Sequence, residues 1–503
     1  MGDELTICTP MRVEQAAVLA GLRGARAAGA AVRVVRTGMG PRRTRERLAL
    51  AAGDGPLVVL GIAGGLAAHV LPGDVVVASE VRADDVTVAC PAAPVLVGAL
   101  RDAGFRVHVG PIISSSVIVE GAARAELAAS DALAVDMESA WLLAGHPDRP
   151  AAVVRVITDT AEAPLLHFGV VQRIAGGLAA LRRIAPVVAD WGRAVGAREV
   201  MLASPRSFCA GVERAIEIVR RALERYGPPV YVRRQIVHNA HVVADLERRG
   251  AVFVDEVDQV PAGARLVLAA HGVAPVVRQQ AADRGLDVVD ATCPLVAKVH
   301  QEVRRYAGAD HTVVLIGHGD HEEVVGSAGE APGQVRIVAD EAAAEAVEVA
   351  DPDRVAYVMQ TTLAVDEAER VAAVLRRRFP KMRAPRHDDI CYATSNRQQA
   401  VREIATGCDV VLVVGSANSS NSQRLVEVAR RAGAASYLVD DATGIRPRWL
   451  AGARRVGVTA GASAPPELVD GVVTALSGLG PVRLTEHRAV DEDVRFGLPK
   501  EVS

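Results

Sequence analysis

Short apolar runs alternate with amphipathic stretches along the whole chain. In its first part the apolar runs predict strands, and an amphipathic stretch over about residues 169–195 predicts a long helix. The strands are predicted at residues 5–9, 31–37, 57–61, 74–79, 132–135 and 152–158. This alternation is typical of α/β layers built on parallel sheets.

A short junction, Gly-Ala-Arg at residues 196–198, precedes a new predicted strand at 199–204. We place the domain boundary there, which gives an N-terminal domain of residues 1–197 and a C-terminal domain of residues 198–503. In the C-terminal domain a strand, a polar turn with a cysteine and a helix recur three times, around Cys209, Cys293 and Cys391. The recurrence predicts three pseudo-symmetric α/β lobes.

Composition narrows the possible functions. The 503 residues are 50% hydrophobic but only 3% aromatic, so the core must consist of Ala, Val, Leu and Ile. A net charge of -3 argues against a general nucleic-acid binder, which needs a basic face. The lysines are Lys298, Lys381 and Lys500, so no lysine chemistry is available before residue 298. We expect a cytosolic protein with reduced thiols, without signal peptide or membrane span.

Three of the six cysteines precede predicted helices. Cys293, for instance, is followed by Pro294, a residue favoured at the first helical position. The partial positive charge of a helix N-terminus lowers the pKa of a thiol, so thiolates are expected. Three thiolates meeting between three lobes would hold an iron–sulfur cluster, and an iron with an open position is a Lewis acid. Separate buried cysteines or a Cys₃His zinc site remain alternatives, and Cys8, Cys90 and Cys408 are interpreted as buried cysteines.

Polar turns follow several predicted strands of the C-terminal domain, at the edge where α/β proteins bind ligands. Their hydroxyl, amide and imidazole groups could hold a phosphate group, although each turn alone is typical of a cap or a solvated loop. Glu323 follows two of the histidines closely and is a candidate general acid, with Glu322 as its competitor on spacing. The turns contain His238, His271, His318, His321, Thr361, Thr362, Ser419, Ser420, Asn421 and Ser463.

From about residue 198 onward the chain resembles the 4-hydroxy-3-methylbut-2-enyl diphosphate reductase (LytB) family. The motifs that carry the resemblance, in order, are ASPRSFCAGVERAI, VRRQIVHN, AAHGV, DATCPLVAKVH, IGHGDHEEVVG, MQTTLAVDE, PRHDDICYATSNRQ, VVGSANSSNSQRL and VTAGASAPPELV. The resemblance implies a 4Fe-4S cluster on Cys209, Cys293 and Cys391. It implies a diphosphate pocket formed by His238, His271, His321, Ser419, Ser420, Asn421 and Ser463.

The same resemblance implies a reaction. Two electrons from ferredoxin or flavodoxin enter through the cluster, and the products are isopentenyl and dimethylallyl diphosphate. Glu323 protonates the leaving oxygen, aided by Thr361 beside the substrate hydroxyl, with His321 in the same catalytic group. Two departures from the family pattern are visible: Ser207 stands where the family usually has Gly, and Glu322 where it commonly has Pro. The first could strain the turn before Cys209.

The N-terminal domain places acidic residues just past several of its predicted strands. Glu14, Glu138 (preceded by Met137) and Asp159 could converge on one cleft, and glycines 61, 64 and 65 allow close backbone approach to a ligand. These motifs resemble the nucleoside phosphorylase and nucleosidase family, including the hopanoid-associated phosphorylases. The resemblance implies that Glu138 holds ribose hydroxyls, Asp159 handles the purine N7 proton and Glu14 positions water. Ile62 departs from the serine of the nucleosidases.

Two alternatives stay open at this point. The C-terminal domain could be a 4Fe-4S hydro-lyase, which also uses an open iron. The N-terminal domain could be a non-catalytic scaffold or small-molecule sensor for the reductase.

Overall fold

The computed structural model describes residues 4–27, 29–84, 86–165 and 169–503. Its contacts divide the chain into two compact units. The first unit consists of Met1–Val200, Asp441–Val456 and Asp470–Thr485, and the second of Met201–Asp440, Gly457–Val469 and Glu486–Ser503.

The first eight strands form one mixed sheet. They are β1 (Leu5–Thr9), β2 (Val32–Arg36), β3 (Leu57–Gly65), β4 (Val75–Ala83), β5 (Val86–Ala89), β6 (Val107–Ser114), β7 (Ala134–Asp136) and β8 (Ala151–Asp159). The helices between and after them are α1 (Arg12–Gly21), α2 (Arg23–Ala27), α3 (Pro41–Glu46), α4 (Ala93–Asp102), α5 (Gly121–Ala128), α6 (Ser139–Ala144) and α7 (Val170–Ala194).

Five of these strands close into a ring. β3 pairs with β7, β7 with β6, β6 with β4, β4 with β8, and β8 returns to β3. The expectation of parallel sheets is therefore wrong in part, because β3–β7, β4–β5 and β4–β8 are antiparallel. Closure also leaves β3 without an open edge, and its residues are buried except for the half-buried Ile62.

The remaining elements follow in chain order. The strands are β9 (Arg198–Ser204), β10 (Val230–Arg233), β11 (Ala251–Val254), β12 (Arg265–Leu268), β13 (Asp287–Asp290), β14 (Thr312–Ile316), β15 (Val335–Val338), β16 (Val355–Met359), β17 (Val410–Val414), β18 (Ala435–Val439), β19 (Arg455–Ala460) and β20 (Val482–Arg488). The helices are α8 (Ala210–Tyr226), α9 (Ala240–Arg248), α10 (Pro275–Asp283), α11 (Pro294–Ala307), α12 (Glu322–Ala328), α13 (Glu341–Ala346), α14 (Val365–Arg378), α15 (Tyr392–Ala405), α16 (Ser420–Arg431), α17 (Pro447–Leu450) and α18 (Pro466–Ser477).

Three further sheets confirm the predicted three-lobed α/β organisation. Their strand orders are β11-β10-β12-β13, β15-β14-β16 and β18-β17-β19-β9-β20. In the first two, and between β17 and β18, the pairing is parallel, which agrees with the predicted βα alternation. Parallel strands present their carboxyl ends at one edge, so the turns after β10, β12, β14, β16 and β17 can converge.

None of the helices within the described ranges combines the length and hydrophobicity that crossing a bilayer requires.

Candidate functional site

Cys209, Cys293 and Cys391 occupy equivalent positions in the second unit. Each is the N-cap residue of a helix: Cys209 of α8, Cys293 of α11 and Cys391 of α15. All three line one cavity of about 690 Å³. Cys209 and Cys293 follow β9 and β13 as predicted, whereas Cys391 follows an irregular segment with one isolated bridge at Arg383. The strand expected directly before Cys391 is absent, because PRHDD offers no apolar run to pair.

The space beside the sulfur atoms is kept open by a glycine. A Cβ atom on Gly211 would lie 2.7 Å from Sγ of Cys293 and 3.8 Å from Sγ of Cys209. The hydroxyl of Thr394, one turn into α15, lies 3.2 Å from Sγ of Cys391. Three sulfur ligands around an open, glycine-walled space fit an iron–sulfur cluster with one iron free of protein ligands.

Burial, not the helix N-terminus, has the larger effect on the pKa of Cys293 and Cys391. Loss of solvent raises the pKa of Cys293 to about 11 and that of Cys391 to about 12. Hydrogen bonds from the backbone of the following turn lower the pKa of both thiols but do not offset burial. The expectation of free thiolates is therefore wrong for Cys293 and Cys391 in the metal-free protein.

The other three cysteines lie elsewhere and are buried. Cys8 is in β1, Cys90 is in the core of the first unit, and Cys408 precedes β17. Burial raises the pKa of Cys8 and of Cys90 to about 12. Throughout the described part of the chain, no three His, Cys, Asp or Glu side chains are arranged to hold a single metal ion, which gives the zinc alternative no support.

Three histidines, from the turns after β10, β12 and β14, form a cluster at the cavity. The rings of His238 and His271 are stacked with centroids 4.0 Å apart, and His321 stands edge-on to both at 5.6 and 5.9 Å. Burial lowers the pKa of His238 and of His321 to about 4, and it lowers that of His271 well below its usual value. Nδ1 of His238 is buried without a hydrogen-bond partner, so the neutral cluster has unused capacity for a ligand. His318 lies outside this cavity, and its ring contacts Arg424.

Hydroxyl and amide groups line another part of the same cavity. Ser419 is the N-cap residue of α16, and its Oγ lies 3.3 Å from Oγ of Ser463, which donates to the carbonyl of His238. Ser420 accepts a hydrogen bond from Thr362 at 3.1 Å. Asn421 accepts from the backbone of Ala462 and donates to Thr394. The predicted diphosphate-binding residues therefore all border one cavity, at the N-terminus of a long helix.

Glu323 and Thr361 form a two-point contact in this cavity. The Thr361 N–H donates to Oε1 of Glu323 at 2.6 Å, and its hydroxyl donates to Oε2 at 2.9 Å. Burial raises the pKa of Glu323 to about 7, although both hydrogen bonds from Thr361 lower it. A carboxyl group with such a pKa is suited to proton transfer at neutral pH.

Glu322 and Ser207 mark the two departures from the family pattern. The Glu322 carboxylate points to Arg234 at 3.5 Å and lies 3.7 Å from Nδ1 of His271. It borders a neighbouring cavity rather than the one that contains Glu323. Ser207 has a φ of 61°, in the region that favours glycine, and its buried Oγ has no hydrogen-bond partner. The predicted strain before Cys209 is thus present in the backbone.

The N-terminal cavity, of about 800 Å³, brings Glu14, Met137, Glu138 and Asp159 together as predicted. Oε1 and Oε2 of Glu14 accept hydrogen bonds from the backbone of Ile62 and Met11 at 2.8 and 2.7 Å. Burial raises the pKa of Glu14, and it raises that of Glu138 to about 8. Two buried carboxyl groups are therefore available at the floor of this cavity.

Two arginines that pair with carboxyl groups of this cavity were missed from the sequence. Arg155, in the middle of β8, is fully buried and donates to Glu138 at 2.5 Å and to Asp136 at 3.0 Å. Arg124, on α5, pairs with Asp159. A single arginine within the apolar strand VVRVITD was the available signal for Arg155, since a buried cation requires carboxylate partners.

The three glycines lie in the second half of β3, where two of them make room for these charged side chains. A Cβ on Gly61 would lie 2.5 Å from Nη1 of Arg155 and 2.8 Å from Oε1 of Glu14. A Cβ on Gly64 would lie 2.5 Å from Nη2 of Arg124, and one on Gly65 would contact Ile157. These glycines make room for protein groups, whereas the sequence had indicated room for a ligand.

Comparison with known proteins agrees with both resemblances. The LytB protein family matches residues 200–477, and the phosphorylase superfamily matches residues 22–185. The chain is 56% identical over 308 residues to the 4-hydroxy-3-methylbut-2-enyl diphosphate reductase of Leifsonia xyli, covering 61% of this chain and 91% of that protein. It is 58% identical over 306 residues to the enzyme of that name from Acidothermus cellulolyticus, covering 61% of this chain and 90% of that one.

A solved structure shows the same fold in the C-terminal part. The E-1-hydroxy-2-methyl-but-2-enyl-4-diphosphate reductase of Plasmodium falciparum is 34% identical, with a TM-score of 0.59, over 61% of this chain and 97% of that one. The class defined by fold and family is thus a three-lobed α/β reductase joined to a phosphorylase-superfamily domain. The chain belongs to the LytB family of 4-hydroxy-3-methylbut-2-enyl diphosphate reductases.

Proposed function

We propose that the second unit reduces 4-hydroxy-3-methylbut-2-enyl diphosphate to isopentenyl and dimethylallyl diphosphate. The observation that carries the proposal is one cavity that contains three cysteine N-caps, a buried glutamate–threonine pair and three neutral histidines. Cys209, Cys293 and Cys391 would hold a 4Fe-4S cluster. When bound, that cluster supplies electrons and a Lewis-acidic iron. A 4Fe-4S hydro-lyase would use the same kind of iron, but the family match supports the reductase.

The residues of this chain fix the substrate by its diphosphate. Ser419, Ser420 and Asn421 offer donors at the N-terminus of α16, where the partial positive charge favours an anion. His238, His271 and His321 would gain protons as the diphosphate approaches, because an anion raises the pKa of a neighbouring imidazole. This anchoring leaves the substrate hydroxyl to be positioned near the Glu323–Thr361 pair.

Glu323 is the proposed proton donor. The reaction breaks one C–O bond, forms one C–H bond at either end of the allyl group, and consumes two electrons and two protons, with water leaving. Glu323 gives one of those protons to the departing oxygen, and Thr361 orients the carboxyl group through two hydrogen bonds. Ferredoxin or flavodoxin is the proposed source of the electrons, and the cytosol is the proposed location.

The test is anaerobic turnover with a chemical reductant. The parent chain should convert the hydroxylated diphosphate to both products and show broad absorption near 400 nm, as 4Fe-4S proteins generally do. Conversion should stop when Cys293 is replaced by Ser. Dehydration or hydration of a hydroxy acid without reduction would instead support the hydro-lyase alternative.

We propose further that the first unit cleaves the bond between a purine and its ribose. The specific observation is the convergence of Glu14, Glu138 and Asp159 on one cavity. Glu138 would hold ribose hydroxyls, Asp159 would handle the proton at purine N7, and Glu14 would orient the attacking molecule. Both arginines are already paired with carboxyl groups, Arg155 with Asp136 and Glu138 and Arg124 with Asp159, which favours neutral water over phosphate as that molecule.

Release of free base from adenosine-type nucleosides tests this second proposal. The full chain should release base at the same rate with and without phosphate. Glu138→Gln and Asp159→Asn should each abolish release without changing turnover of the diphosphate. If the parent chain releases no base under either condition, the scaffold or sensor alternative is favoured.

A further inference from the structure

Each helix that begins at one of the three cysteines carries a cation on its second turn. Arg214 on α8 and Lys298 on α11 stand five residues after their cysteines, and Arg397 on α15 stands six residues after Cys391. None of the three side chains lies on the cavity lined by the cysteines. Each side chain donates hydrogen bonds instead to backbone carbonyl groups of the segment that precedes a different cysteine in the chain.

Arg214 contacts the segment before Cys293. Its Nη1 donates to the carbonyl oxygens of Ala291 and Thr292 at 3.3 and 3.2 Å. These two residues connect β13 to the cysteine. The helix that follows Cys209 thereby holds the chain that leads into Cys293.

Lys298 contacts the segment before Cys391. Its Nζ donates to the carbonyl oxygens of His387 and Asp388, both at 2.9 Å, and to Oδ1 of Asp389 at 3.2 Å. All three donor positions of the ammonium group are therefore used. This segment has no strand of its own, so Lys298 supplies contacts that a sheet would otherwise give.

Arg397 contacts the segment before Cys209 and is itself buried. Its Nε and Nη2 donate to the carbonyl oxygen of Ser207 at 3.1 and 2.9 Å, and Nη2 also donates to that of Phe208 at 3.2 Å. Glu492 balances its charge at 3.0 Å. These bonds hold Ser207 in its strained positive-φ conformation.

The three contacts close a cycle: the helix of Cys209 holds the segment of Cys293, the helix of Cys293 holds that of Cys391, and the helix of Cys391 holds that of Cys209. We propose that Arg214, Lys298 and Arg397 are positioning residues that form this cation ring. The ring sets the positions of the three cysteines relative to one another before any cluster is bound. This proposal rests on the proposed cluster site. The cation ring preorganises three cysteine ligands that come from three separate lobes.

The cyclic order gives the proposal a selective test in the metal-free full chain. Each cysteine is labelled with iodoacetamide, and its rate of modification is followed by mass spectrometry. Lys298→Met should raise the rate at Cys391 about tenfold, because losing hydrogen bonds from a charged group lets the segment open. Arg214→Met should act in the same way on Cys293, and Arg397→Met on Cys209. Lys298→Arg should restore the parent rate at Cys391.

Matched controls remove one positive charge from the same helices without touching the ring. They are Arg221→Met on α8 and Arg402→Met on α15, at exposed positions, and Arg305→Met on α11, at a half-buried position. These three variants should keep the parent rates. Thermal unfolding of each variant identifies any that fails to fold; should Arg397→Met be one of them, Lys298→Met and Arg214→Met carry the test.

An equal rise at all three cysteines, a rise at the cysteine of the altered helix itself, or unchanged rates would each overturn the proposal. Iron and sulfide binding by the parent chain is measured separately. Failure of the parent chain to bind iron and sulfide would count against the cluster site. The pattern of cysteine labelling tests the cation ring independently of that result.

Discussion

Thr361 donates both its backbone N–H and its hydroxyl to the two carboxylate oxygens of Glu323, at 2.6 and 2.9 Å. The contact joins the turn after β16 to the first turn of α12, so two neighbouring strands of one sheet position the pair. Glu322, one residue earlier, points to Arg234 in the neighbouring cavity. The side chains of the two adjacent glutamates therefore point into different cavities, and only Glu323 lines the cavity that contains the three cysteines.

Replacing Glu323 by Gln should slow turnover while the protein keeps its cluster and its affinity for substrate. An amide cannot give a proton to the leaving oxygen, and general acid catalysis is typically worth about 10²–10⁴ in rate. The loss should therefore lie in kcat rather than KM, measured by steady-state kinetics under anaerobic conditions. Glu322→Gln, which removes the same charge, is the control and should be mild. Inactive Glu322→Gln with active Glu323→Gln would contradict the assignment.

Affinity for inorganic pyrophosphate should increase as the pH falls from 8 to 6. His238 and His321 are neutral in the free protein because burial lowers their pKa values to about 4. A bound anion raises those pKa values, so binding takes up protons and is favoured by acid. The acidic groups to control for are Glu322, which faces His271, Asp320 beside His321, and Glu323, whose pKa burial raises to about 7 in the same cavity; Glu322→Gln, Asp320→Asn and Glu323→Gln are the control variants. Competitive inhibition at several pH values measures the effect, and an affinity that falls with acid would contradict it.

Replacing Ser207 by Gly should stabilise the metal-free protein by about 1 kcal/mol, since glycine adopts a φ of 61° without steric strain. Ser207→Ala removes the unpartnered buried hydroxyl but keeps the strain, so it should gain less. Urea unfolding of the three proteins at one pH provides the comparison. Equal stability of the Gly and Ala variants would show that φ is not the cause.

Replacing Arg155 by Met should destabilise the first unit by roughly 3–5 kcal/mol, because it leaves the buried carboxylate of Asp136 without a counter-charge. Arg42→Met, at a side chain that is 89% exposed, should change stability little. Differential scanning calorimetry of the full chain should show the shift only for Arg155. A small effect would contradict the role of Arg155 as the counter-charge of Asp136.

The sequence predicted the site best where the reactive residues stand at the ends of strands or the beginnings of helices. Each cysteine was predicted to precede a helix, and all three are N-cap residues because the helices begin at the residues that follow them. The histidine and serine turns were placed at strand ends, and the parallel sheets of the second unit bring them to one cavity. These features depend on local sequence and on a simple rule of topology.

Strand pairs and side-chain contacts between residues far apart in the chain could not be predicted from the sequence. β6 was missed because Gly110 and Pro111 interrupt its apolar pattern, and its place in a closed ring comes from partners far along the chain. Arg155 and Arg397 are buried among acceptors that the sequence alone does not bring together. The thiolates expected at Cys293 and Cys391 were wrong for a related reason, since burial in the folded chain raises the pKa of both thiols.

The cluster site is tested most directly by counting iron and sulfide in anaerobically prepared protein. The parent chain should hold about four of each and absorb broadly near 400 nm. Ser substitution at Cys209, Cys293 or Cys391 should sharply lower the iron content, whereas substitution at Cys8, Cys90 or Cys408 should leave it unchanged. A Cys391→Ser protein with a full complement of iron and sulfide would contradict the assignment.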